Sequence, residues 1–380
     1  MSAKNPNNVA RPIIADRAAR PTSFDMAVIP MPSGHEEEWR FTSIRRLDGL
    51  LTPASQQLIP DVSKVKGAVT QQVLRSDPRV GRAGAPGDRP AVVSWTAAET
   101  VTLVTVGADL EEPLWISSTG GGHQRCNQYL VIEVAPKVRA EVILEHTGDL
   151  ELNQTVEIVL GDEADLNLVS LQEWDASAKH TANHRASIGR EAHLKHLVVT
   201  LSGDLVRICS DVAYTGEGAE AHMNGLYFTS AGEHQEHRLF IDHNHPNCVS
   251  RVTYKGALQG LDAHSVWVGD VLIGRNAAGT DSYEQNRNLI LSQGAHADSV
   301  PNLEIQNGNI PGAGHASATG RFDEEQLFYL MSRGITEREA RRLVVHAFFA
   351  ELMAEIGLPA VEERLLDKVD DLLRQGETGE

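Results

Sequence analysis

From about residue 91 to about residue 310 the chain contains no useful length of helical periodicity. Short segments rich in Val, Leu, Ile and Thr recur instead, at Thr100–Val106, Tyr129–Val134, Glu141–Leu144, Thr155–Leu160 and Leu194–Leu201. Turns rich in Gly, Asp and Glu separate them, which is the pattern of many short strands. A βαβ architecture needs a helix between successive strands, so it is excluded. Within this region Gly-x-x-Ala recurs at Gly161/Ala164, Gly189/Ala192, Gly216/Ala219, Gly260/Ala263 and Gly294/Ala297, and Lys137/Ala140 takes the same form with lysine in the glycine place. Successive spacings of 24, 28, 27, 44 and 34 residues are irregular, yet they fall in the range of stacked repeats. A glycine opens a turn at low steric cost, and a small alanine lets the next coil approach. A right-handed parallel β-helix, or solenoid, needs both, so the chain is expected to be mainly β with that fold. A sandwich of short strands is the alternative that these residues leave open.

The ends read differently. Residues 1 to about 35 are rich in Pro, Asn and Ala, and their start is expected to be poorly ordered. Glu36, Glu37 and Glu38 suit a helix N-terminus, with Trp39 as a packing anchor. Residues 76–90, SDPRVGRAGAPGDRP, read as a linker or surface loop. Helix begins again near residue 323, with Asp323 at the N-cap and Gln326 completing a capping box. A second capping box is Thr336-x-x-Glu339, and Leu343, Ala347, Phe348 and Leu352 then share one face. Gly357 stops that helix and Pro359 opens another, which carries Val361, Leu365, Leu366, Val369 and Leu372. The expected division is a helical and linker region over 1–90, a β-helix core over 91–321 and a helical domain over 322–380.

Composition narrows the function classes. Thirty-four basic against fifty-two acidic residues give a net charge of −18, which argues against a nucleic-acid partner because such proteins present a basic face. No apolar run approaches the roughly 18 residues of a membrane helix, and MSAKNPNNVARP has no signal-peptide pattern. No membrane association and a cytoplasmic location are the expectations. Cys126, Cys209 and Cys248 are far apart and form no Cys-x-x-Cys pair, so a zinc ribbon, a thioredoxin-type site and a disulfide framework lack support. Buried free thiols are expected, and four thiolates for a permanent iron–sulfur cluster are not available. Neither a nucleotide-binding Gly-x-x-x-x-Gly-Lys loop nor a Gly-x-Ser-x-Gly elbow is present. Any ATP-driven step therefore belongs to another subunit.

Fourteen of the sixteen histidines fall between His123 and His315. Close pairs occur at His180/His184, His193/His196, His234/His237 and His243/His245. Only a spacing of two puts both rings on one face of a strand, which singles out His243 and His245. A cupin-like mononuclear metal enzyme using these two with Glu233 or His237 is one reading. Against it stand Pro246 beside the pair and the lack of a second ligand motif in register. Exposed or structural histidines are the plainer reading, and a passive β-solenoid interaction protein is a third.

Longer strings carry more information. Pro301-Asn302-Leu303-Glu304-Ile305, then Gly314-His315-Ala316-Ser317-Ala318-Thr319-Gly320, then the run from Asp323 through Leu327-Phe328-Tyr329-Leu330-Met331 to Ile335 resemble the C-terminal signature of the SufB/SufD family. Glu37-Glu38-Trp39-Arg40-Phe41-Thr42, Asp242–Ser250 with Tyr254–Leu258, and Asp281–Leu291 with Ala297-Asp298-Ser299 resemble further blocks of it. The likeness covers about residues 220–350 well and residues 34–46 locally. It implies a parallel β-helix with helical ends, acting as a scaffold subunit of a machine that assembles iron–sulfur clusters. SufB-type chains carry a functional cysteine in the block matching Gln285–Leu289, where this chain has Asn286, and a glutamate after the histidine that matches His315, where this chain has Ala316. The chain is also short for a SufB, so the resemblance is to the SufD type. It implies a non-catalytic subunit that pairs with a SufB-type chain through the β-helix edge and C-terminal region. It also implies a SufC-type ATPase docked on the helical tail, where Leu343, Phe348 and Leu352 lie. His315 is the implied metal ligand at the junction, for a transient iron–sulfur cluster shared with the partner and not held permanently by this chain alone.

Overall fold

The computed structural model describes residues 20–322 and 324–378. The expected disorder before residue 20 and the capping box of Asp323 and Gln326 lie outside the described residues. Helices α1 (Ile44–Leu47) and α2 (Arg89–Ala97) precede the β region, and α3 (Glu324–Ser332), α4 (Glu337–Ala354) and α5 (Pro359–Thr378) follow it. Between Thr100 and Arg321 successive strands alternate between two sheets. Every strand therefore pairs in parallel with the strand two places away, as Lys179 does with Glu151 on one side and Leu205 on the other. This is a parallel β-solenoid of two strands per coil. The coil length is the sequence separation of ladder partners, and it varies: Asn183 lies directly beside Cys209, but the longer coils of the C-terminal half set Tyr254 beside Asn286. We call the sheet containing Thr100–Val106 the first sheet and that containing Leu114–Thr119 the second.

The recurring Gly-x-x-Ala marks the turns, but two kinds of turn share the pattern. Gly161, Gly189 and Gly216 follow strands of the first sheet and do not carry a positive φ, which falls later in the turn, at Glu163, Glu191 and Gly218. A Cβ on Gly161 would stand 2.6 Å from the Pro136 nitrogen, and one on Gly216 2.6 Å from the Arg190 Cα. Glycine is needed there for the close approach of stacked turns. Gly260 and Gly294 follow strands of the second sheet and have φ of +94° and +86°, so backbone conformation is the requirement at those two. The change from one column of turns to the other falls between Gly216 and Gly260 and accounts for the longest spacing. Ala164, Ala192, Ala219 and Ala263 are fully buried beneath their turns.

Side chains alternate between the interior and the outer faces. In the early coils the interior is aliphatic, with Leu130, Ile132, Val156, Ile158, Leu166 and Leu168 in one cluster. Each such side chain contributes about 1.5–3 kcal/mol on burial. The outer face of the second sheet is covered by α4 and α5, whose Val345, Phe349, Leu352, Leu365 and Val369 pack with Leu197, Val199 and Phe228. Thr336 caps α4 by accepting the Glu339 N–H at 3.3 Å, and Gly357, at φ +73°, separates it from α5. On the outer face of the first sheet, Trp39, Leu47, Leu50 and Leu51 pack with Leu205. There Trp39 lies under the guanidinium of Arg207, whose carbon is 4.2 Å from the ring centroid.

The two ends of the solenoid differ. At the N-terminal end Ala68–Leu74 closes the first sheet and Asp61–Val62 the second, both antiparallel to their neighbours. At the other end His296–Ile305 and Gly312–Arg321 are the last strands of their sheets, and most of Gly312–Arg321 is exposed. Among the described residues no helix is long and apolar enough to cross a membrane.

Candidate functional site

His315 lies within the strand Gly312–Arg321, although Gly312, Gly314 and Gly320 flank it. Strand alternation places it in the row Met223, Val252, Glu284, His315, one residue from each successive coil of the second sheet. Met223 and Val252 are core residues, so the row faces the interior. His315 escapes burial because no further coil covers it, and 45% of its side chain is exposed. Its Nδ1 is 3.8 Å from Oε1 of Glu284, which is buried. Glu284 reaches across the interior, since a Cβ on Gly269 of the first sheet would meet its Oε2 at 2.2 Å. The last strand thus presents an imidazole at the solenoid mouth with a carboxylate directly below it. Sequence reading missed Glu284, whose signal is its position one full coil before His315.

Below this pair the interior turns polar. Asn286 is fully buried and donates to the Tyr227 hydroxyl at 3.0 Å and to the Tyr254 carbonyl at 3.3 Å. Asn288 donates to Asn286 Oδ1 at 2.7 Å, and the Tyr227 hydroxyl donates to Asn288 Oδ1 at 2.5 Å. Asn286 is thus a structural amide in a connected network, which is costly to break. Ser250 and Ser282 are 2.7 Å apart, and Ser250 Oγ is 2.8 Å from His243 Nε2.

The residues of the cupin-like reading do not converge. His243 ends the strand His234–His243 and is fully buried, with burial pushing its pKa down to about 3. His245 lies past the strand end, beside Asn244 Oδ1 at 3.1 Å, so the two rings do not share a strand face. His237 faces the interior against Thr200 Oγ1 at 2.9 Å. Glu233 accepts the Ser230 N–H in its turn, and burial raises its carboxyl to about 7.

The three apolar residues of α4 also part company. Leu352 is 2% exposed against the second sheet, Phe348 is half-buried under the Lys255 ammonium, and Leu343 is 41% exposed. The face that a helix pair leaves open is covered mainly by the chain's own sheet. Phe328, Tyr329 and Met331 on α3 remain exposed alongside Leu343. Cys126, Cys209 and Cys248 are buried free thiols, as their spacing suggests.

Residues 116–348 match the family model for the SUF system FeS cluster assembly SufBD core domain. The chain is 47% identical, over 370 residues, to an iron–sulfur cluster assembly SufBD family protein of Mycobacterium tuberculosis, covering 94% of this chain and 93% of that one. It is 45% identical over 360 residues to a SufBD family protein of Mycobacterium leprae, covering 92% of each. The iron–sulfur cluster assembly protein SufD of Escherichia coli is 27% identical over 213 residues, which are 56% of this chain and 50% of that protein. The matched region takes in nearly all of the solenoid and most of α4, and two relatives align over nearly their whole length. The chain therefore belongs to the SufBD family of iron–sulfur cluster assembly proteins.

Proposed function

We propose that this chain is the SufD-type scaffold subunit of a SUF assembly complex. It pairs with a SufB-type chain through the open C-terminal end of the solenoid and binds a SufC-type ATPase through its helical tail. The observation that carries this reading is His315, half exposed on the last strand of a sheet that has no further coil. A strand edge of this kind is a template for another chain, and an imidazole there can join a thiolate from the partner in a mixed nitrogen–sulfur site. The cluster is cargo, shared transiently across the junction and held permanently by neither this chain nor its separated, buried cysteines. The buried Asn286 in place of a functional cysteine supports the SufD type, as does the likeness to a relative named SufD. The subunit itself is non-catalytic and works in the cytoplasm, with ATP hydrolysis supplied by the partner.

The test is His315→Ala in the full chain co-expressed with SufB-type and SufC-type subunits. At 3.8 Å the ring is beyond hydrogen-bond distance of Glu284, so its removal should leave the melting temperature and the complex unchanged. Maturation of an iron–sulfur client should be lost. A complex that still matures the client, or one that never forms with wild-type chain, overturns the reading.

A further inference from the structure

We infer that the outer face of the first sheet carries a separate site for a divalent transition-metal ion, held by His264, His296 and Asp298. His234, His264 and His296 are ladder partners on three consecutive coils, which stacks them at the spacing of neighbouring strands. Asp298 is two positions beyond His296 and so shares its face. One ligand atom from each of His264, His296 and Asp298 lies within 4.8 Å of the others. The rings of His264 and His296 stack with centroids 4.0 Å apart. A divalent ion with bonds of about 2.0–2.1 Å draws its ligand atoms to about 3.3 Å from each other. Rotation of the exposed His296 ring can close its own gap, while His264 Nε2 and Asp298 Oδ2, 2.9 Å apart, need to open by about 0.4 Å.

The hydrogen-bond chain behind the cluster points the same way. His234 is buried, and its Nε2 is 3.5 Å from Oε2 of Glu236. With its proton on Nε2, facing that carboxylate, His234 offers Nδ1 as an acceptor. In that tautomer the Nδ1 of His264, 3.2 Å away, is the donor. This assignment leaves the lone pair of His264 Nε2 directed at Asp298 Oδ2, 2.9 Å away. Two acceptors at that distance need a cation between them, a proton or a metal ion, whereas in the other tautomer His264 donates its Nε2 proton to the carboxylate. The contact of His264 Nδ1 with His234 fixes the His264 ring, as a hydrogen bond from the far ring nitrogen does for metal-bound imidazoles. Two imidazoles and one carboxylate, with the remaining positions open to water, suit zinc or ferrous iron better than the all-oxygen preference of magnesium or calcium. The cluster lies at the same end of the solenoid as His315, but on the other sheet and the opposite face.

The full chain, stripped of metal by a chelator, would be titrated with Zn²⁺ by calorimetry and with Co²⁺ by visible absorption. One equivalent of Zn²⁺ is expected, with a Co²⁺ spectrum of mixed nitrogen and oxygen ligation. His296→Ala and Asp298→Asn should each weaken binding by at least about tenfold, and His234→Gln, acting through His264, by about 10–100-fold. His315→Ala should bind as the wild type does. His296 is exposed and Asp298 only half-buried, so the melting temperatures of those two variants should match the wild type. No binding by the wild type overturns the inference: the cation between His264 and Asp298 is then a proton. Binding unchanged in the His296 and Asp298 variants, or lost in His315→Ala, overturns it equally.

Discussion

Six histidines lie inside the solenoid: His146, His180, His184, His196, His237 and His243, none more than 2% exposed. Burial lowers their pKa, to about 4 for His146 and His196, to about 3 for His237 and His243, and well below the ordinary value for the other two. They are neutral when folded at neutral pH, whereas in the unfolded chain they take up protons below about pH 6.5. The unfolded state then binds more protons, so stability should fall as pH drops from about 6.5 towards about 4. Each histidine contributes at most about 1.4 kcal/mol per pH unit in that window. Burial raises Glu233 to about 7 and also raises Glu38, Glu141, Glu173 and Asp242, and these five act in the opposite sense by favouring the fold as pH falls, but the six histidines outnumber them. Urea midpoints measured at pH 7.5 and pH 5.5 should differ clearly, and equal midpoints would mean that these rings are charged in the fold. Sequence spacing alone did not sort the histidines, because His264 and His296 meet although a full coil of chain separates them, while the near neighbours His243 and His245 part.

Aromatic rings and glycines lock adjacent strands together within the second sheet. Tyr254 is the ladder partner of Gly225, and Tyr227 is the partner of Gly256. A Cβ on Gly225 would stand 2.0 Å from Tyr254 Cε1, and one on Gly256 1.9 Å from Tyr227 Cε2. Each ring therefore lies flat over the glycine beside it, and neither glycine has a positive φ, so the demand is purely steric. Gly256→Ala should expel the Tyr227 ring and break its hydroxyl contacts with Asn286 and Asn288, costing about 1–3 kcal/mol or more. Gly308→Ala, where no atom would lie within 4 Å of the new methyl, should be neutral to within about 0.5 kcal/mol. A denaturant series on both variants checks the contrast, and equal effects would mean that the rings yield freely. Strand positions were legible at this scale, with Thr100–Val106 matching its sequence pattern end to end. The tyrosine–glycine pairs were not legible, since their members belong to different coils and meet only once the register is set.

The helical tail belongs to the body of the molecule. Ile143, Val169, Leu171, Leu197, Val199 and Phe228 of the second sheet are buried in one cluster with α4 and α5. Removing residues after Gly334 would expose this apolar face, so the truncated chain should melt lower and aggregate, because such contiguous patches are rare on soluble monomers. Loss of ATPase binding after truncation would then say nothing about where the ATPase docks. The discriminating variant is Leu343→Asp with Phe328→Asp, at positions 41% and 74% exposed. On the proposed reading it keeps the melting temperature of the wild type and loses the SufC-type partner in a pull-down. Retention of that partner with unchanged affinity would place the docking surface elsewhere.

What the sequence determined by itself was local: strand-forming segments, glycine and alanine turns, the Thr336 cap, the Gly357 break and the motifs that resemble the SufB/SufD family. Each depends on residues within a few positions, where propensity and sterics act directly. The solenoid made His315 and Glu284 neighbours, buried Leu352 while leaving Leu343 exposed, and brought His264, His296 and Asp298 into one cluster. The pairings among them follow from coil lengths that change from one turn of the solenoid to the next. Because that variation has no fixed period in the sequence, only the folded register decides which side chains meet.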